Sequence, residues 1–231
     1  MTQSTLATST RTRLILQGIV APVIIYAAIL LIAGRWDYWQ AWVYVVLNTI
    51  ILTVMSVLAA RNPALVEERL NPKQGMKSWD KVYFAVTTPM YLLAIVIASL
   101  DSRFGWTANM PLAGYWLGVF VYILGQSLFL WARYTNQYFS SVVRIQTDRG
   151  QTVCKDGPYK YVRHPGYVGG ILFASTIGII LGSWWATIPQ VIAAGMLVWR
   201  TSMEDQTLIT ELPGYLEYTH ETRYRLIPGI W

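Results

Sequence analysis

Long apolar segments alternate with short polar connections along most of this chain. Four of these segments cover residues 14–33, 41–60, 82–100 and 112–131. Each is long enough to cross a membrane, because about 20 helical residues span a hydrocarbon core of roughly 30 Å. The pattern therefore predicts four long membrane-spanning helices in the first part of the chain.

Two shorter apolar segments follow a polar stretch that ends near residue 160. They cover residues 167–181 and 185–199, with Gly182-Ser183 between them. We expect a tight helical hairpin that returns the chain to the membrane face from which it came. Residues 201–212 then mix acidic and apolar side chains at helical spacing, and a second short amphipathic helix is predicted over 215–224.

Composition agrees with an all-α integral membrane helical bundle. Charged residues make up 13% of the chain, about half of the roughly 25% found in average soluble domains. Of the 18 Lys and Arg, only Arg35 and Arg103 lie in the connections on one side of the predicted spans. The positive-inside rule then places both termini and the amphipathic helices in the cytoplasm, at the cell inner membrane. The cations form no single basic face, which argues against a nucleic-acid partner.

The most unusual stretch is GPYKYVRHPGYVGG at positions 157–170. It holds two Pro, four Gly, three Tyr, two cations and one of the two His of the chain. Pro158 and Pro165 restrict the backbone, so we expect an ordered turn that ends at a helix start. Unpaired N–H groups at a helix start suit an anionic ligand group. Spacing alone leaves a membrane-boundary loop equally open.

A second polar cluster is expected on the same membrane face. It combines the acidic pair Glu204-Asp205 with Arg223 and Arg225, and the hairpin would bring it close to the Pro-rich turn. The ordinary alternatives are a solvated helix face for the acidic pair and membrane anchors for the arginines. No nucleotide-binding glycine pattern occurs, Cys154 alone cannot make a metal site, and His164 and His220 could not form a zinc site without help from carboxylates.

Both clusters carry a resemblance to a known family. GPYKYVRHPGYVG (157–169) and RTSMED (200–205), together with LPGYLEY (212–218) and TRYRLIP (222–228), resemble the isoprenylcysteine carboxyl methyltransferase / phospholipid methyltransferase family. The likeness runs from about Tyr138 to the C-terminus. It implies two regions, an N-terminal four-span membrane region at 1–133 and a catalytic region at 134–231. It also implies an integral membrane enzyme that uses S-adenosylmethionine and no metal.

The resemblance assigns roles to individual positions. Arg163, Glu204 and Arg223 would be catalytic, with the two arginines facing the methyl acceptor. Glu204 would also close the cofactor pocket. The remaining residues implied to bind the cofactor are Gly157, Tyr159, Tyr161, Val162, His164, Pro165, Tyr167, Gly169 and Asp205. The second acidic position is usually Glu in this family and is Asp205 here.

The expected activity is methyl transfer to an amphipathic or lipid-like acceptor at the cytoplasmic membrane face. A carboxylate acceptor would need the arginines to dock it, whereas an amine would need Glu204 or His164 to take its proton. Two alternatives stay open. Sterol reductases share a similar R-H-P-x-Y turn and use NADPH, and a non-catalytic membrane scaffold could keep the same fold.

Overall fold

The computed structural model describes Val20 and residues 22–61 and 75–231. Within these ranges the regular structure is entirely helical. The α-helices are α1 Pro22–Ala33, α2 Trp39–Arg61, α3 Ser78–Phe104, α4 Leu112–Thr135, α5 Pro165–Ile180, α6 Thr187–Glu211 and α7 Tyr215–Glu221. Two short 3-10 turns, Thr147–Arg149 and Gly157–Lys160, lie between α4 and α5. The all-α prediction is confirmed for this part of the chain.

Three of the described helices are long and apolar enough to cross a membrane, over Trp39–Leu58, Ser78–Phe104 and Leu112–Thr135. They correspond to the second, third and fourth predicted spans. The first predicted span, 14–33, lies partly outside the described residues, which show only the twelve-residue α1. The count of four spans and the side on which the amphipathic helices lie stay predictions.

The third span is longer than its apolar core. The helix α3 begins at Ser78 and ends at Phe104, whereas hydropathy alone placed it at 82–100. The added ends contain Asp80 and Asp101, which are 0% and 2% exposed. Both carboxylates have polar partners from other parts of the chain, and these partners allow the two side chains to be buried inside the helical bundle.

The C-terminal hairpin also differs from its prediction. A turn with Gly182 at φ 72° joins α5 to α6, as the sequence indicated. However, α6 runs for 25 residues without a break, whereas the sequence suggested separate helices before and after Arg200. Arg200 and Asp205 are both buried against partners, so the polar half of the helix is also packed against other segments of the protein.

Close helix packing places the turn at Arg163-His164-Pro165, which we call the R-H-P turn, against the long spans. The axes of α4 and α5 approach so closely that a side chain on Gly169 would lie 2.5 Å from the Gly125 carbonyl oxygen. Facing glycines permit such an approach, as they do in many membrane helix pairs. The apolar core around Ile29, Tyr122 and Ile180 continues this packing toward α1 and α2. The helix start at Pro165 is thereby fixed relative to the end of α4.

Candidate functional site

The backbone of the R-H-P turn is hydrogen-bonded to residues 222–231, which follow α7 and which we call the C-terminal segment. The Arg163 amide donates to the Tyr224 carbonyl at 2.9 Å, and the His164 amide donates to the Arg225 carbonyl at 3.0 Å. The helix α5 starts immediately afterwards, at Pro165. The prediction of an ordered turn ending at a helix start is therefore confirmed. The two polar clusters seen in the sequence lie together in the fold.

A buried carboxylate joins these two clusters. Asp205 is 0% exposed, and the Arg163 guanidinium holds it with two parallel bonds, each 2.8 Å long. Three further groups reach the same carboxylate: Arg225 Nε at 2.7 Å, the Tyr215 hydroxyl at 3.0 Å and His164 Nε2 at 3.1 Å. Asp205 therefore does not lie on a solvated helix face.

These contacts keep Asp205 ionised. Burial by itself would raise the pKa of Asp205, but hydrogen bonds from His164, Arg163 and Arg225 outweigh burial and hold that pKa well below its usual range. The carboxylate and its charged partners lock α6 to the R-H-P turn and to the C-terminal segment. We call Asp205 and its four partners, Arg163, His164, Tyr215 and Arg225, the Asp205 cluster.

The remaining hydrogen-bonding capacity of Arg163 is directed at the backbone. Its Nη1 group donates to the Thr222 carbonyl at 3.0 Å and to the Arg223 carbonyl at 2.6 Å. The Arg163 residue is only 8% exposed. Its guanidinium therefore holds other parts of the protein in place. This geometry differs from the acceptor-facing role that the resemblance implied.

The neighbouring acidic residue, Glu204, has a different environment. It is partly buried, and the Tyr167 hydroxyl donates a short hydrogen bond to its Oε2 atom. The Tyr167 ring stacks on the His164 ring with centroids 5.6 Å apart. The two adjacent carboxylates of α6 thus have different environments: Asp205 is enclosed by protein, and Glu204 faces a cleft.

This cleft lies between the R-H-P turn, the polar half of α6, α7 and the chain after α4. Its empty volume, counted out to its open mouth and including open solvent, is about 800 Å³. Five residues predicted for the site line it: Tyr159, Arg163, His164, Tyr167 and Glu204. These five residues lie on one side of the cleft, and their contact with a cofactor stays a prediction.

The other predicted residues do not line this cleft. Tyr161 and Arg223 are exposed, while Val162, Pro165 and Asp205 are buried in the surrounding structure. Gly169 faces α4, and Gly157 packs near Thr135 and Trp131. A direct cofactor contact by any of these seven residues stays a prediction.

Sequence reasoning missed the opposite side of the cleft. That side is formed by residues between 136 and 154, which we call the cleft wall, including Tyr138, Phe139, Val143 and Cys154. Its shape depends on polar contacts: the Gln146 amide donates to the Gln151 side chain at 2.6 Å, and Gln146 Nε2 donates to the Tyr138 carbonyl at 2.7 Å. A polar stretch without periodicity carries no signal for such a wall.

A second buried ion pair was also missed. Arg200 Nε lies 2.8 Å from Asp80 Oδ1, and it joins α6 to the first turn of α3. Asp80 carried no sequence signal because it precedes the apolar core of its span by only two residues. The available clue was Arg200, a cation that directly follows the apolar residues 185–199.

Within residues 22–61 and 75–231, no group of three or more His, Cys, Asp or Glu is placed to hold a metal ion. The absence of a metal from the chemistry stays a prediction.

The fold indicates an integral membrane protein, and the cleft is lined in part by polar and charged side chains. Residues 116–210 match the model of the isoprenylcysteine carboxyl methyltransferase (ICMT) family. The match includes the R-H-P turn, the cleft wall, α5 and nearly all of α6, so the resemblance noted in the sequence is confirmed. Over these residues the chain is thus similar to a family of membrane methyltransferases. No individual curated protein gives a significant match to the chain.

Proposed function

We propose that this protein transfers a methyl group from S-adenosylmethionine to an amphipathic or lipid-like acceptor at the cytoplasmic face of the membrane. The observation that carries the proposal is the cleft itself. It places the R-H-P turn and Glu204 on one side and the cleft wall on the other, within the family-matched region. The uneven distribution of Lys and Arg supports the cytoplasmic side.

The residues of the cleft suit this cofactor. S-adenosylmethionine carries a sulfonium that supplies an activated methyl group, and it also carries an ammonium. The carboxylate of Glu204 faces the cleft with Tyr167 as its partner, and a carboxylate stabilises a cation of this kind by charge-assisted hydrogen bonding. His164 and Tyr167 would bind the cofactor beside it, while Tyr159, also buried in the lining, would shape the pocket.

Methyl transfer from an activated donor depends mainly on alignment and on excluding water. The Asp205 cluster contributes to alignment because it fixes the R-H-P turn against α6. We therefore propose that Arg163 positions the cleft and does not dock the acceptor. Arg223 is exposed, so its guanidinium remains available to an acceptor that approaches from outside the cleft.

The nature of the acceptor remains open between a carboxylate and an amine. Arg163, one of the two cations proposed for a carboxylate, is occupied by Asp205. His164, one of the two bases proposed for an amine, also contacts Asp205. Arg223 and Glu204 are the members of each pair that keep an accessible side chain.

Isothermal titration calorimetry of the detergent-purified protein tests the cofactor. We expect S-adenosylhomocysteine to bind, and Glu204→Gln to weaken that binding at least tenfold. The matched control is Glu211→Gln, which changes a partly exposed carboxylate at the end of the same helix, paired with Lys77. Binding of NADPH without any response to S-adenosylhomocysteine would support a reductase, and binding of neither would support a scaffold.

A transfer assay identifies the acceptor class. The protein is incubated with methyl-labelled S-adenosylmethionine and a total extract of lipids and small molecules, and labelled products are separated by polarity. We expect label in an amphipathic product. A base-labile label would indicate a methyl ester, and a base-stable label would indicate a methylated amine.

A further inference from the structure

Asp80 and Arg200 form an ion pair that is almost fully enclosed. Asp80 lies in the first turn of α3 and is 0% exposed, and Arg200 lies midway along α6 and is 6% exposed. Arg200 Nε lies 2.8 Å from Asp80 Oδ1, and Arg200 Nη2 donates to Oδ2 at 3.2 Å. Arg200 falls within the family-matched residues 116–210, whereas Asp80 precedes them.

The pair also holds the cleft wall. The Val143 amide donates to Asp80 Oδ2 at 2.8 Å, and Arg200 Nη2 donates to the Ser141 carbonyl at 2.9 Å. The Lys77 amide adds a bond to the Val143 carbonyl at 3.3 Å. Val143 lines the cleft. One side of the cleft is therefore attached to α3 through Asp80.

Arg200 also reaches the opposite side of the cleft. Its guanidinium carbon lies 5.4 Å from the centre of the Tyr167 ring, a distance at which a cation is attracted to an aromatic ring. Tyr167 in turn donates to Glu204. The same guanidinium thus contacts the wall at Ser141 and the ring that orients the cleft carboxylate.

We propose that Asp80 is a positioning residue for the ligand cleft, acting through Arg200 and Val143. A single carboxylate from the membrane region sets the distance between the cleft wall and the Tyr167–Glu204 pair. Its effect on ligand binding rests on the function proposed above, but its effect on the shape of the cleft does not. An unpaired Arg200 would leave its site, because an uncompensated buried charge is costly, and the wall would move with it.

The test compares Asp80→Asn with Asp101→Asn in the full-length protein. Asp101 is a matched control because it is another buried carboxylate of α3, 2% exposed, that accepts hydrogen bonds from Thr107 and Ser183. It lies at the other end of the helix and does not line the cleft. Both variants lose a buried charge from the same helix, so both are expected to lower the melting temperature.

Two readouts separate positioning from general destabilisation. The first is the affinity for S-adenosylhomocysteine, which we expect to fall at least tenfold in Asp80→Asn and less than twofold in Asp101→Asn. The second needs no ligand. Cys154 is the single cysteine of the chain and lines the cleft, so its rate of reaction with a maleimide should rise severalfold in Asp80→Asn alone.

The outcomes distinguish this proposal from the proposed function. If the wild-type protein does not bind S-adenosylhomocysteine, the proposed function fails, and the Cys154 rate still tests the positioning role. Equal Cys154 rates in wild type and Asp80→Asn, or equal increases in both variants, would overturn the positioning role. If Asp80→Asn does not fold, Arg200→Lys serves instead: it keeps a charge beside Asp80 but loses the fork that reaches Ser141, and we expect the same two changes in smaller size.

Discussion

Replacing Asp205 with Asn should destabilise the protein strongly, although the new side chain has nearly the same size. The wild-type carboxylate neutralises Arg163 and Arg225 and accepts the Tyr215 hydroxyl. The Asn side chain removes the negative charge and has only one oxygen for these donors. The buried Arg163 and the partly exposed Arg225 would then both lose their counter-charge.

The magnitude follows from the burial of the pair. Breaking a buried ion pair by removing one partner costs about 3–5 kcal/mol. For a protein of this size, each 1 kcal/mol corresponds to roughly 2–4 °C in melting temperature, so the expected drop is about 6–20 °C. The adjacent variant Glu204→Gln should lower the melting temperature far less, since Glu204 is only partly buried and Gln still offers an oxygen to Tyr167.

Thermal unfolding of the two variants in the same detergent, followed by tryptophan fluorescence, provides the measurement. A melting temperature for Asp205→Asn within about 3 °C of the Glu204→Gln value would refute the reasoning. It would mean that the Asp205 cluster contributes little to the stability of the folded protein. For Glu204→Gln we expect the opposite balance of effects: the variant should remain folded but bind S-adenosylhomocysteine poorly.

Three further predictions concern other parts of the site. Because the pKa of Asp205 is depressed in the folded protein, its stabilising effect is complete above its unfolded pKa of about 4 and is lost gradually as pH falls from there toward the folded pKa. Melting curves from pH 7 to pH 3 should therefore show a larger acid-induced loss of stability in the wild type than in Asp205→Asn. Gly169→Val should prevent folding, because its Cβ would meet Gly125 backbone at 2.5 Å, whereas Gly195→Ala, which meets nothing within 4 Å, should fold normally by size-exclusion chromatography. Tyr167→Phe should weaken S-adenosylhomocysteine binding about three- to tenfold through loss of the hydrogen bond to Glu204, and an unchanged dissociation constant by calorimetry would contradict that role.

Hydropathy predicted the helices well because a membrane-spanning helix is specified locally. A run of about 20 apolar residues satisfies its own backbone and needs no distant partner to be recognised. The prediction was less accurate at helix ends, where Asp80 extends α3 and Arg200 lies within an unbroken α6. In the sequence, Asp80 and Arg200 each look like a helix boundary. In the fold they neutralise each other across the bundle.

The candidate site was predictable where its residues form a compact motif. The R-H-P turn could be recognised because its prolines restrict the backbone and its composition is unusual. The acidic pair could be recognised as well, but the sequence could not say which carboxylate faces a ligand. One residue along a helix turns the side chain by about 100°, and only the packing of α7 and the C-terminal segment determines that Asp205 is enclosed and Glu204 is not.

By itself, the sequence determined that this is a helical membrane protein, that its cations are concentrated in alternate connections between the apolar segments, and that its C-terminal half carries a motif of the matched family. Those properties depend on composition and on spacing within single segments. The tertiary structure decided which residues meet: Arg163 with Asp205, Arg200 with Asp80, and the polar wall at 136–154 with the R-H-P turn. The partner of a buried charge depends on how distant segments pack together. That packing cannot be predicted from residue patterns within single segments. The stretch at 157–170 therefore becomes one side of a cleft only when the fold supplies the other.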